Sequence, residues 1–448
     1  MGFSSQTKEF GLPQYVLSDV PQMEDFNKAF KTISENLGKG GNVDSVNGKT
    51  GVVVLSTKDV GAANKIINTA SGAIIAVNDA SVQTLEGLTL YGKTTQDGTP
   101  TPEEPVELVN AGASGSVAVN VKGKNLWEFG DKTFTKNFDI KTSIPAGTYT
   151  ITAMVESTDT DDAMSNMGFY IPNTQKFTYA AFQRNIKTSQ KKTLEYPATL
   201  IRLNAATSLS ASEGDTATWS GIQLEVGDTA TEYEPYISGG AVTVSTPNGL
   251  AGIPVDSGGN YTDESGQEWI CDEVDFAKGV TIQRVKTVIV DSIDTKSTIG
   301  TNIFVVTFLD CLPMTYEESY MLCSAYGRAN VAGSLIPNYH ASLQAGNSNN
   351  SYFRFRDDRF NTIKEVNAWL NENPFIIAYP LAEPIETPLT ADELAQYAAL
   401  HTNKPNTTIL NNGGAGMMAN YTADTKIYID KKFEALTAAI AAVENNEI

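Results

Sequence analysis

The chain is expected to be a mainly β, multi-domain protein with short helices near its N- and C-terminal ends. Three observations lead there. Charged residues make up only 19%, below the usual quarter, while Gly, Thr, Asn and Ser are plentiful, a mixture that suits turn-rich β structure over helical bundles. Runs of alternating apolar and polar residues, such as Thr148–Val155, Thr199–Leu203 and Thr216–Glu225, recur with turn residues between them. At 448 residues the chain is long enough for two to four cores, and 41% hydrophobic content is enough to fill them.

Charge narrows the partners. The formal net charge is −20, so the chain lacks the basic surface that displaces counterions from phosphates, and nucleic acid is not an expected partner. A neutral glycan or a protein surface fits this charge better than a polyanion. Cys271, Cys311 and Cys323 are too few and scattered for a disulfide scaffold or a zinc site, and buried free thiols are expected. The opening Met1–Gln6 shows no secretory leader, and Gln6 breaks the myristoylation pattern. No apolar run reaches the roughly 20 residues of a membrane span, so a soluble, cytoplasmically made product without membrane insertion is expected.

Along the chain, residues 1–41 hold an extended start and then a helix capped by Ser18 or Asp19. Met23, Phe26, Phe30, Ile33 and Leu37 alternate at 3- and 4-residue steps and form one stripe, either docked on a neighbour or paired in a short parallel coiled coil. In 42–63, Asn47-Gly48 predicts a hairpin turn, because both central positions favour positive φ. Residues 64–124 read as a β adaptor in which Val117, Val119 and Val121 alternate as a half-buried strand. A β-sandwich is expected over 125–236, a hairpin connector over 237–279 and a second β domain over 280–387. In that last domain Thr362 and Glu365 form a capping box for a helix through Asn371. The final segment, 388–448, has another capping box at Thr390 and Glu393, a strand near Thr407–Leu410, and a closing helix. The closing helix carries Ile429, Phe433, Leu436, Ile440 and Val443 at alternating 4- and 3-residue steps, a seam that suits self-association.

Several of these segments carry a resemblance. "VNGKTGVVVLSTKDVGA" and "YGKTTQDGTPTPEEPVELVNAGASGSVAVNVKGKNL" resemble linker and adaptor stretches of tail-fibre and baseplate proteins from bacteriophages of Gram-positive bacteria. "AVTVSTPNGLAGIPVDSGGNYTDESGQEWICDEVDFAKG" resembles another recurring module of such fibres, and "WSGIQLEVGDTATEYEPY" resembles the last strand of carbohydrate-binding jelly-roll modules, with Tyr233 and Tyr236 packing the exit strand on the sandwich edge. The resemblance is strongest over 43–62, 91–125, 221–279 and 377–440. It implies an elongated, trimeric fibre in the virion tail, anchored through its N-terminal region to other tail or baseplate proteins, with its β units presented to a host-surface glycan or protein.

Catalytic chemistry has little to build on. The only histidines, His340 and His401, lie far apart, and no nucleophile elbow, zinc-binding helix, P-loop or dinucleotide fingerprint is present. A glycosidase needs only two carboxylates, but no β-helix repeat accompanies the acids here. The expectation is therefore a binding protein, not an enzyme, with no cofactor and no metal site. Asp159, Asp161 and Asp162 could gather Ca²⁺ but lack the Gly and terminal Glu of a calcium loop. Binding candidates are aromatic. Trp219 shares a parity with Gln223 and opposes Ile222 and Leu224, so it faces outward beside an amide if those two face the core; alternatively Gly221 marks a bulge that returns it inward, or the ring packs on another protomer. Tyr170 and Tyr179 belong to one aromatic stretch, Tyr352 and Arg354 to another, where arginines either read an acidic group or pair internally.

Overall fold

The computed structural model describes residues 65–68, 73–78, 82–158, 164–206, 216–293, 295–296, 301–308, 310–312, 319–331, 335–345, 351–403 and 406–423, with a few positions between 5 and 31. The stripe Met23, Phe26, Phe30, Ile33 and Leu37, the Asn47-Gly48 turn, Asp159, Asp161 and Asp162, and the seam Ile429, Phe433, Leu436, Ile440 and Val443 lie outside the described residues. The chain divides into two units, 1–62 and 63–448. In the first, Ser5–Gln6 pairs antiparallel with Pro13–Gln14. The second is mainly β, built from several sheets.

The β-sandwich lies within 132–226. One sheet orders its strands Asn137–Ile144, Ala198–Asn204, Met164–Ile171 and Lys176–Gln183. The other orders Thr188–Leu194, Gly147–Ser157, Thr216–Val226 and Lys132–Thr135. Alternation explains the core: Tyr149, Ile151, Phe169, Phe182, Ile201 and Trp219 point into one buried cluster between the sheets. Each such large side chain contributes about 1.5–3 kcal/mol by leaving water. Tyr149 buries a hydroxyl too, and donates it to the Pro145 carbonyl at 2.7 Å, so the phenol costs little.

Beside the sandwich stands a five-stranded sheet drawn from distant parts of the sequence: Ser238–Thr246, Gly115–Lys122, Thr407–Asn411, Ile74–Asn78 and Lys65–Asn68, in that order. Its inner strands at 74–77 and 407–411 are buried on both faces. Ile74, Ala76 and Leu410 join the sandwich core, while Ile75, Val77, Ile409 and the expected Val117, Val119 and Val121 join a second core. The described strands of the segments expected as 64–124, 237–279 and 388–448 therefore share one sheet. Each supplies a strand that pairs with a strand of another segment, for example Ile409 opposite both Ile75 and Val121.

A six-stranded sheet continues from this region into the second β unit, in the order Leu322–Cys323, Phe375–Pro388, Val280–Val290, Glu273–Asp275, Val82–Tyr91 and Gly416–Ala423. The second unit adds the sheet Thr295–Lys296, Ile303–Phe308, Ser351–Arg356, His340–Ala345 and Gly327–Arg328. Between them lies a core dense in aromatic rings, with Tyr326, Phe353, Phe355 and Phe375 all buried. Cys311 and Cys323 join this core and Cys271 a small neighbouring cluster, all three as free thiols. Burial pushes the Cys311 and Cys323 thiols up to about 12.

Both expected capping boxes form. Helix Ile363–Leu370 starts at Thr362, whose hydroxyl accepts from the Glu365 amide at 3.2 Å while the Glu365 carboxylate accepts from the Thr362 amide at 3.0 Å. Helix Ala391–Ala398 repeats the pattern at Thr390 and Glu393. The second helix ends three residues before His401, because the His401 amide donates to the Gly239 carbonyl instead of continuing the helical ladder.

Candidate functional site

The best-formed candidate surface is the solvent face of the sandwich sheet that holds Met164–Ile171. Strand parity sends Met167, Phe169 and Ile171 inward, so Asn166, Gly168 and Tyr170 face out. Register then builds rows across four strands. Asp139, Arg202, Gly168 and Tyr179 form one row, and Lys141, Leu200, Tyr170 and Phe177 the next. Tyr170 and Phe177 have ring centroids 5.2 Å apart, and Phe177 stacks on Tyr179 at 5.7 Å. Tyr179 is 45% exposed.

Glycine makes this platform possible. A Cβ at Gly168 would sit 2.5 Å from Tyr179 Cε1, so only a bare backbone lets the tyrosine ring lie flat over the strand. The Arg202 guanidinium stacks over Phe177 at 4.6 Å and is held by Asp139 through two bonds, of 2.6 and 2.7 Å. The Arg202 bonds hold the Asp139 carboxyl below the usual carboxylate range. Asn204 donates to Asn166 at the end of the preceding row. A hollow of ≈ 390 Å³ adjoins the platform, lined by Phe177, Thr178, Thr193, Glu195 and Tyr196 among others. Flat rings bordered by amide, guanidinium and carboxylate groups match a sugar's apolar face and its ring of hydroxyls.

Trp219 is not part of such a surface. It is fully buried and meets Phe182 edge-to-face at 5.2 Å. Gly221 has φ +56°, and the strand pairing slips between Thr152 and Met154, which marks a bulge. The extra residue resets parity, so Ala217, Trp219, Ile222 and Leu224 all point inward. Gln223 consequently faces away from Trp219. It is buried as well, donating to Glu225 at 3.0 Å and accepting from the Glu234 amide at 2.7 Å, so it has no free amide for a ligand. Tyr233 is largely exposed beside Lys187, while half-buried Tyr236 lies under Lys122. Neither tyrosine lies on a strand.

Tyr352 and Arg354 lie on the second β unit, on the sheet face opposite its core. Their neighbours follow the internal-pairing alternative: Arg356 holds Asp358, and Arg359 holds Asp357 and Glu103. Of the six binding candidates, then, the fold brings Tyr170 and Tyr179 together, leaves Tyr352 and Arg354 on another sheet, and buries Trp219 and Gln223. Sequence reading missed Gly168, Asp139, Arg202, Asn166 and Asn204. Local alternation places each on an outward face, but only pairing across non-adjacent strands unites them.

No known protein family matches the chain, and no curated protein does. Among solved structures, the chain is similar to the tripod (BppUct-A-L) from the baseplate of bacteriophage Tuc2009, at 11% identity and a TM-score of 0.15, over 52% of this chain and 90% of that one. A superposition at that score carries no weight beside the geometry above.

Proposed function

We propose that this chain is a non-catalytic tail-fibre or baseplate protein of a bacteriophage-like particle, assembling as a homotrimer and attaching to a host-surface glycan. The sequence resemblance supports the particle class. The observation that carries the binding role is the outward platform of Tyr170, Phe177 and Tyr179 over Gly168, a costly arrangement of rings to leave in water unless something covers them. Three copies on one fibre multiply weak glycan contacts through effective concentration, so no single site needs high affinity.

The purified protein is expected to adsorb to host cells and to block particle attachment. The triple variant Y170A/F177A/Y179A should remain folded and lose at least tenfold in adsorption, about 1.4 kcal/mol of binding. Unchanged adsorption by a folded variant defeats the reading.

A purely structural tail role is the second reading, favoured by the complete burial of Trp219, Phe353 and Phe355. It predicts no adsorption by wild-type protein. Trimerisation is tested by solution mass: the proposed assembly requires three times 48.1 kDa, and a folded species of one subunit mass at micromolar concentration contradicts it.

A further inference from the structure

We propose that the second β unit carries an oxyanion site on the outer face of its five-stranded sheet. The site is formed by Arg354 with Gln344 and Ser342, and takes a single carboxylate or phosphate group of an acidic saccharide or polyol phosphate. It stands apart from the aromatic platform and does not depend on it.

Three observations carry it. Arg202, Arg284, Arg356 and Arg359 each hold a carboxylate, whereas Arg354 has none among the described residues, although acids outnumber bases 52 to 32 in this chain. Its guanidinium is nonetheless held in place: it donates to Gln344 Oε1 at 3.0 Å and stacks on Tyr352 at 4.9 Å. Those contacts use one nitrogen and one face of the planar fork, leaving its remaining donors for an incoming acceptor.

The second observation is the neighbour across the ladder. Ser342 pairs directly with Arg354, and both project from the face opposite the core, since Ala341, Leu343, Phe353 and Phe355 point inward. Ser342 is fully buried, yet its hydroxyl has no hydrogen-bond partner. An orphan hydroxyl inside a protein costs about 1–3 kcal/mol. An oxyanion bridging Arg354 and Ser342 removes that cost.

The third is polarity. Because Gln344 Oε1 accepts from Arg354, its amide nitrogen is left as a further donor. Val305, Thr307, Tyr352, Ser342 and Gln344 surround Arg354 in register, and none is acidic. Among the described residues the site offers donors and no competing carboxylate, which is the chemistry an anion needs and a cation or neutral alcohol does not.

The test is calorimetric titration of the full chain with glucuronate, glycerol 1-phosphate and inorganic phosphate, with glucose and glycerol as neutral counterparts. Wild-type protein is expected to bind at least one acidic probe and neither neutral one, and whichever acid binds more tightly identifies the carboxylate or phosphate source. Arg354→Gln should weaken that binding at least tenfold, about the value of one charge-assisted pair. Arg354→Lys keeps the charge without the fork and should retain only weak binding. Ser342→Ala should weaken binding several-fold without lowering the unfolding midpoint. The variant Y170A/F177A/Y179A should bind the acidic probes as wild type does, so failure of this site and failure of the glycan platform give different results. No acidic binding at millimolar probe, equal binding of neutral probes, or full binding by folded Arg354→Gln overturns the proposal, as does a Ser342→Ala protein whose only change is greater stability.

Discussion

Replacing Trp219 with Ala is expected to destabilise the β-sandwich by about 3–5 kcal/mol, the range for deleting a large buried aromatic side chain. The indole is fully buried and packs edge-on against Phe182, so truncation removes apolar burial and leaves a cavity between two sheets that cannot easily close. Trp219→Phe should cost far less, about 1–2 kcal/mol, on the low side for a core volume change. The indole nitrogen has no hydrogen-bond partner in the fold, so losing it leaves nothing newly unsatisfied. Denaturant unfolding of both variants measures the difference. If Trp219→Ala kept its stability and lost only cell adsorption, the ring would belong to a binding surface and the bulge at Gly221 would have been misread.

The second large effect is expected at Asp357, a fully buried carboxylate at the hinge between strand Ser351–Arg356 and helix Ile363–Leu370. It accepts from the Tyr326 hydroxyl at 3.0 Å, from the Arg359 amide at 3.1 Å and from the Arg359 guanidinium at 2.9 and 2.6 Å. Arg359 in turn is enclosed by Tyr339, Phe360 and Trp369. Asp357→Ala leaves the Tyr326 hydroxyl buried without its acceptor and a guanidinium without its nearest counter-charge. The expected loss is about 1–3 kcal/mol, the cost of leaving the buried Tyr326 hydroxyl unsatisfied, because the partly exposed Arg359 keeps Glu103. Asp357→Asn keeps the shape and part of the bonding and should lose about half as much. Chemical denaturation followed by tryptophan fluorescence reports this directly, because Trp369 stacks on Arg359. A change below about 0.5 kcal/mol for Asp357→Ala would show that water replaces the carboxylate, contrary to its complete burial.

These two residues also show where sequence reading stops. The arginine stretch around Arg356 and Arg359 left two readings open, and Asp358 and Asp357, each two residues from its arginine, pair Arg356 and Arg359 internally. Trp219 is harder, because its face depends on a single inserted residue. Alternation from Ile222 and Leu224 predicts an outward ring, and Gly221 reverses that prediction by offsetting the ladder against Thr152 and Met154.

What the sequence alone determined is the local layer: the mainly β class, the two capping boxes at Thr362 and Thr390, the buried alternation of Val117, Val119 and Val121, and the core-forming strand near Thr407–Leu410. Those features rest on residues a few positions apart, where backbone geometry fixes which side chains meet. Tertiary structure alone decided that strands near 75, 120, 243 and 409 share one sheet, and that Asp139, Arg202, Gly168 and Tyr179 align in one row. Strand pairing satisfies backbone groups irrespective of side-chain identity, so a strand's partners are chosen by the packing of the whole fold and leave little trace in its own residues.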